Sequence, residues 1–209
     1  MCIRDSYMIA TSEHPLTAMY MDETIPEDQM PMRMVGVSQC FRREVGSHGQ
    51  SDLGIWRVHQ FTKIEQIIIA KPEDSWALHE ELLQNCTDLW DSLGIHYEIV
   101  NICTGDMGTV AAKKYDLEAW IPGANQYKEI VSCSNCTDYQ ANRLSIRYGQ
   151  PGHPNQPIVH TLNSTAVATS RALVAIMEQN QLEDGRVSIP QVLQPFMGGQ
   201  TVLEPCQWG

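Results

Sequence analysis

No apolar run in this sequence approaches the ~20 residues that a bilayer-spanning helix needs, and it opens without a charged-then-apolar leader. Both absences point away from a membrane or secreted protein, and the expected location is the cytoplasm. Basic residues are also scarce: 14 Lys and Arg face 25 Asp and Glu, a net charge of −11. That balance excludes a broad basic surface for gripping nucleic acid, so any RNA contact must be local or come from another part of the protein. The seven cysteines are odd in number and scattered, with Cys133 and Cys136 the one close pair. Such usage suits a reducing compartment rather than a disulfide framework. One C-x-x-C without a second pair is a weak zinc signal, and both thiols are expected to pack in a sheet. Three N-x-T triplets, at Asn85, Asn135 and Asn163, read as chance matches.

What is present is ordinary in composition: 209 residues, 43% hydrophobic and 19% charged, enough for one large domain or two small ones. At that length roughly 70% of the unfolded surface can be buried. Residues 7–11 read as a strand, 21–31 as an acidic, proline-bounded surface excursion, and 32–39 as a returning strand. The apolar run 67–70 predicts a strand covered on both faces. Residues 75–93 form an amphipathic pattern opened by Pro72, Glu73 and Asp74 and closed by Gly94. Leu78, Leu82, Cys86, Leu89 and Leu93 fall at helical spacing beside Trp90, a core stripe, which leaves His79 and Glu80 on the wet side. Further strands are expected over 95–103, 117–121, 128–134 and 158–163. Helices are expected over 137–148, over 166–181 (burying Val167, Leu173, Val174, Met177 and Gln181) and over 190–197; residues 149–157 read as a loop. Strands joined by short turns and backed by few helices predict an α+β fold, a mainly antiparallel sheet flanked by helices.

The most unusual stretch is 41–66, FRREVGSHGQSDLGIWRVHQFTKIEQ. It reads as two strands joined by a polar turn, with Gly46, Gly49 and Gly54 supplying the bend. Residues two apart in a strand share a face, so Arg42 and Glu44 point together on the first arm. On the second, Phe61, Lys63 and Glu65 share a side and His59 joins them. So many ionisable groups around one aromatic ring suit the floor of a site for a charged, planar ligand. Near the other end, Arg171 sits among small residues that let a ligand approach closely.

The pattern F-R-x-E-x-G followed by R-x-H-Q-F-x-K-x-E resembles motif 2 of the class II aminoacyl-tRNA synthetases, in the form found among the seryl-tRNA synthetases. LNSTAVATSR, residues 162–171, resembles motif 3, and T-S-E at 11–13 resembles the loop that holds the amino acid. The likeness runs from about Tyr7 to Met197. It implies the class II catalytic fold, cut short at its N-terminus, and activation of L-serine with ATP to seryl-adenylate, followed by transfer to tRNA(Ser). By that resemblance Arg42 would bridge the substrate carboxylate and the α-phosphate, Glu44 would accept from the adenine amino group, and Phe61 would stack on the base. Arg171 would close the other face and touch the γ-phosphate; Arg42 and Arg171 are the implied catalytic groups. Arg43, Val58, His59, Gln60, Ile130 and Val131 complete the implied ATP site. Glu129 and Ser132 would hold Mg²⁺, which prefers oxygen ligands. Thr11, Ser12, Glu13, Arg42, Glu65, Asn163 and Thr165 would bind serine, Glu13 taking the ammonium group and Glu65 the hydroxyl.

The chain also departs from the pattern. His14 stands where the family usually has an apolar residue or Gln, and the motif 2 turn carries Gln50 and Leu53 where basic residues usually touch the acceptor end of tRNA. Motif 1, which builds the family's homodimer interface, and the N-terminal arm that grips tRNA have no counterpart here. Residues 7–197 are therefore read as a catalytic core lacking motif 1, residues 1–6 as a leader foreign to the family, and 198–209 as a tail. The competing readings are a synthetase-like module that binds a ligand or protein without catalysis, and a class II synthetase for another small amino acid.

Overall fold

The run from Ile67 to Ala70 sets the layers of the molecule. In a computed structural model of the chain, which describes residues 6–44, 54–150 and 152–206, these four side chains are at most 2% exposed. Ile68 and Ala70 pack on one side with Leu78, Leu82 and Leu162, and Ile69 on the other with Ile25, Ala141, Ile146 and Val159. Alternation sends successive side chains to opposite faces, so an unbroken apolar run requires cover on both.

The elements follow in chain order: α1 (Glu13–Ala18), β1 (Thr24–Ile25), β2 (Met32–Phe41), β3 (Gln60–Ala70), α2 (Ser75–Ser92), β4 (Tyr97–Asn101), β5 (Lys113–Ile121), β6 (Gln126–Asn135), α3 (Tyr139–Leu144), β7 (Arg147–Tyr148), β8 (His160–Ala168), α4 (Thr169–Gln179), β9 (Val187–Ser188) and β10 (Val202–Leu203). Six strands form one sheet in the order β2-β3-β8-β6-β5-β4, with every neighbouring pair antiparallel. Two small ribbons, β1 with β7 and β9 with β10, flank it. The fold is α+β, a mainly antiparallel sheet flanked by helices. Helix α2 lies on the reverse face with Leu78, Leu82, Cys86 and Trp90 buried, joined by Leu93 and by Ala172 and Ala175 of α4 in the main cluster.

Several local expectations are corrected. Residues 7–11 form no strand; their recorded tie to the sheet is the Phe41 N–H donating to the Ile9 carbonyl at 2.8 Å. The 21–31 segment is no mere excursion, because Ile25 is 3% exposed and β1 pairs with β7. The helix expected over 137–148 shrinks to α3, since Thr137 (φ 47°) and Ser145 (φ 55°) take left-handed backbone conformations that interrupt it at both ends. Residues 166–168 are strand, not helix. On α4 the buried positions are Ala172 and Ala175, while Leu173 and Met177 are 46% and 40% exposed; small side chains let this helix sit close to its neighbours. His79 is fully buried, not wet. It stacks on Tyr115 at 5.2 Å and donates from Nε2 to the Cys133 carbonyl at 3.1 Å, and burial lowers its pKa. In the segment read as a tail, Val202 and Leu203 pair with β9.

Candidate active site

A cleft of about 240 Å³ opens on the sheet face opposite α2. Its floor is set by two irregularities in strand pairing. On β8, Thr165 pairs with Glu65 but Val167 pairs with Ile64, so Ala166 is an extra, unpaired residue. On β6, Val131 pairs with Leu117 but Glu129 pairs with Glu118, so Ile130 is extra. A β-bulge of this kind shifts the alternation by one residue. Residues three apart, which a regular strand would point to opposite faces, then share one. Glu129 with Ser132, and Thr165 with Ala168, consequently line the same cleft. Arg42 and Glu44 enter from the chain just beyond β2, Phe61, Lys63 and Glu65 from β3, Glu13 from α1, and Ser170 and Arg171 from the start of α4.

Four cations and four carboxylates line this space, and most of them cancel in pairs. Arg57 Nη1 meets Glu44 Oε2 at 2.7 Å, Lys63 Nζ meets Glu65 Oε2 at 2.7 Å, and Arg171 Nη1 meets Glu129 Oε1 at 3.1 Å and its carbonyl at 2.7 Å. Two groups are left over. Among the described residues Arg42 forms no ion pair; its Nε donates to the Ala10 carbonyl at 3.4 Å and its guanidinium lies 5.3 Å from the Phe61 ring centre. Glu13 likewise has no cationic partner, and its Oε1 accepts from Gln140 Nε2 at 2.6 Å and Asn163 Nδ2 at 3.1 Å. The cleft thus holds one cation and one carboxylate available to a ligand carrying both charges.

At the floor, Glu65 is 2% exposed and accepts from the Thr165 hydroxyl at 3.0 Å. Burial raises its pKa and the Lys63 ammonium opposes the rise. Beside Ser132, the Asp116 carboxyl is pushed up to about 6 by burial and then by the Glu129 charge, with Lys114 Nζ at 3.3 Å opposing. Its Oδ1 is buried without a hydrogen-bond partner. Cys133 and Cys136 are both buried, and burial drives the Cys136 thiol up to about 12.

Of the residues singled out from sequence, Glu13, Arg42, Glu44, Val58, Phe61, Glu65, Glu129, Ile130, Ser132, Asn163, Thr165 and Arg171 line the cleft together. Thr11 and Ser12 stand just behind it; the Thr11 hydroxyl accepts from the Glu13 N–H at 3.2 Å. Four others do not line it. Arg43 is exposed, Val131 is fully buried in the core, and Gln60 turns to the opposite side of β3, reaching Gln39 at 3.4 Å. His59 does not join Phe61; its Nδ1 meets the Arg42 carbonyl at 3.1 Å and the His59 carbonyl accepts from the Arg42 N–H at 2.9 Å, so it closes the hairpin instead. Gln50 and Leu53 lie outside the described residues. The wall that sequence reasoning missed is Trp56 with Arg57: Trp56 lies under both Arg171 (5.4 Å) and Lys128 (5.3 Å). Its signal was a tryptophan inside an otherwise polar turn, flanked by Gly54 and an arginine.

Comparison with known proteins agrees with this geometry. The sequence profile described as "tRNA synthetase class II core domain (G, H, P, S and T)" matches residues 3–180. The serine--tRNA ligase of Methanocorpusculum labreanum is 59% identical over 201 residues, which are 95% of this chain and 47% of that protein. The crystal structure of seryl-tRNA synthetase from Pyrococcus horikoshii complexed with ATP superposes with a TM-score of 0.93 at 50% identity, covering 99% of this chain and 46% of that one. Cytoplasmic serine-tRNA ligase from Naegleria fowleri in complex with AMP gives 0.90 at 47% identity, covering 97% and 48%. The chain therefore spans about half the length of the relatives it matches. With the profile covering most of its length and the fold and motifs in agreement, the chain belongs to the class II tRNA synthetase core domain family.

Proposed function

We propose that the protein carrying this chain activates L-serine with ATP, forming seryl-adenylate, and transfers the seryl group to tRNA(Ser). The observation that carries this reading is the charge accounting of the cleft. Three ion pairs cancel and leave Arg42 and Glu13, a cation and a carboxylate suited to the two ends of an amino-acid zwitterion. The neighbouring Glu65–Thr165 pair offers hydrogen-bonding capacity to a short hydroxylated side chain. Alanine would leave those buried polar groups unpaired, a mismatch that can discriminate by ~10⁴–10⁵. The names of the relatives, serine--tRNA ligases from several sources, support the same substrate.

Adenylation brings a carboxylate to a phosphate and expels pyrophosphate, so fixed positive groups must meet the growing charge. Arg42, with its planar fork of donors, would hold the substrate carboxylate against the α-phosphate, and the Phe61 ring beneath it offers a stacking face for adenine. Arg171 and Trp56 would form the facing wall. Glu129 and Ser132 fit a divalent cation: both offer oxygen, the β6 bulge turns them to one side, and Asp116, the ladder partner of Ser132, carries a buried oxygen without a hydrogen-bond partner. Mg²⁺ held there would neutralise phosphate charge. Grip on tRNA(Ser) by an N-terminal arm, contact of the motif 2 turn with the acceptor end, pairing of two copies and a cytoplasmic location belong to the same proposal for the whole protein.

The test is serine-dependent exchange of pyrophosphate into ATP by the protein expressed from its complete reading frame. Arg171→Ala should lower the rate by about 10²–10³, as loss of one preorganised charge-stabilising group does. An unchanged rate refutes the role given to Arg171, and exchange driven by another amino acid in preference to serine refutes the substrate.

A further inference from the structure

No residue of helix α2 lines the cleft, yet two of its side chains reach through the back of the sheet to the β8 bulge. Cys86 and Trp90 are one helical turn apart and both fully buried. Their side chains donate to consecutive carbonyls, Cys86 Sγ to Thr165 at 3.3 Å and Trp90 Nε1 to Ala166 at 3.2 Å. Ala166 is the residue left over in the ladder with β3. A bulged residue leaves backbone groups without ladder partners, and such groups are costly when they lie away from water. The indole N–H gives the Ala166 carbonyl a partner from outside the sheet.

What the bulge decides is which side chains face the ligand. Asn163 and Thr165 point into the cleft, and after the extra residue Ala168 and Ser170 do so. Val167 instead packs against the main core cluster. In an unbulged strand Val167 would follow Thr165 into the cleft and Ala168 would turn to the core. The bulge thus sets a small side chain opposite Lys63, next to the Thr165 hydroxyl that donates to Glu65.

The geometry points to Trp90, assisted by Cys86, as a positioning residue for the amino-acid side-chain subsite: by holding the β8 bulge from behind, it keeps Ala168 rather than Val167 on the cleft face, beside the Glu65–Thr165 pair. This rests on the proposed serine-activating function, in which that pair meets the serine hydroxyl. Trp90→Phe keeps an aromatic ring in the core and removes the N–H. In pyrophosphate exchange by the full-length protein, it should raise KM for serine by roughly 5- to 10-fold, the scale of one lost hydrogen bond, while KM for ATP stays within twofold. Preference for serine over alanine should fall by a similar factor. Cys86→Ala should shift serine KM in the same direction and Cys86→Ser, which retains a donor, should restore it; these variants decide the matter if Trp90→Phe does not fold. Serine-dependent exchange with serine KM unchanged in the folded variants, or with serine and ATP KM moving in parallel, overturns the inference and leaves the proposed function standing. Absence of serine-dependent exchange in the unsubstituted protein overturns both.

Discussion

Glu65→Gln separates what the buried ion pair does for folding from what it does for recognition. Glu65 and Lys63 retain 2% and 7% of their side-chain exposure and lie 2.7 Å apart. The amide conserves volume but strands the ammonium with no counter-charge. Breaking a buried pair from one side costs ~3–5 kcal/mol when the survivor stays charged and dry. Lys63 borders an open cleft and can rehydrate there, so a loss of about 2–4 kcal/mol is expected in urea denaturation. Adding Lys63→Met removes the stranded charge, and the double variant should recover to within ~1 kcal/mol of the parent. Recognition should not recover with it. A hydrogen bond to a charged acceptor is worth ~1.5–3 kcal/mol, so serine KM in pyrophosphate exchange should remain roughly 10- to 150-fold raised in both variants. A double variant that regains serine KM along with stability would refute Glu65 as the hydroxyl acceptor. A single variant within ~0.5 kcal/mol of the parent would refute the electrostatic account of the floor.

Three further outcomes are expected. Gly36→Ala places a Cβ 2.5 Å from Ser12 Oγ and 2.8 Å from Leu16 Cδ1, so α1 must move off β2; a stability loss of ~1–3 kcal/mol and a raised serine KM through displaced Glu13 should be seen together by denaturation and exchange. Arg42→Lys keeps the charge but not the planar fork, and should lower the exchange rate by at least ~10-fold, with no more than ~1 kcal/mol lost in denaturation because Arg42 forms no ion pair among the described residues. His79 is held neutral by burial, with its pKa below the ordinary 6.5. Its contribution is therefore complete above that pH and shrinks as the unfolded chain takes up the proton on acidification. Stability should therefore fall between pH 7.5 and 5.5, and His79→Phe should flatten that slope in melting curves.

The parts of the fold governed by simple periodicity were legible in the sequence. The run 67–70 announced cover on both faces, and the Leu78, Leu82, Cys86 stripe announced α2. His79 was legible too, since it stands three before Leu82 and seven before Cys86 on the same stripe; its polarity argued for water, but its Nε2 donates to the Cys133 carbonyl and its ring stacks on Tyr115, which leaves Nδ1 buried without a partner among the described residues. What periodicity cannot reveal is a change of phase. Residues 166–168 are alanine and valine in a segment running into α4, and they read as helix because the bulge at Ala166 destroys the alternation that would have marked them as strand. Trp56 was hidden for a different reason: it lies in a turn, where neither a 2.0 nor a 3.6 residue period selects a buried position.

The same change of phase explains why the site can be built on a sheet at all. A ligand with charge at both ends and a phosphate chain needs polar groups clustered more densely than every second residue along a strand. A regular strand answers only with alternate side chains, spaced about 6.6 Å apart. The bulges at Ile130 and Ala166 lie on the two adjacent central strands β6 and β8, and each brings a residue three positions on to the cleft face: Ser132 after Glu129, Ala168 after Thr165. Each is also anchored by a long side chain from another element, Arg171 of α4 on the Glu129 carbonyl and Trp90 of α2 on the Ala166 carbonyl. These two anchors differ in kind. Trp90 is sealed in the core and has no other recorded hydrogen bond, so the β8 bulge should be permanent. Arg171 is partly exposed and is also the group that must turn to meet phosphate in the proposed reaction, so its hold on β6 is exchangeable for a ligand. On the proposed function, the amino-acid side of the cleft would thereby be preorganised, while the nucleotide side would give up a contact on binding.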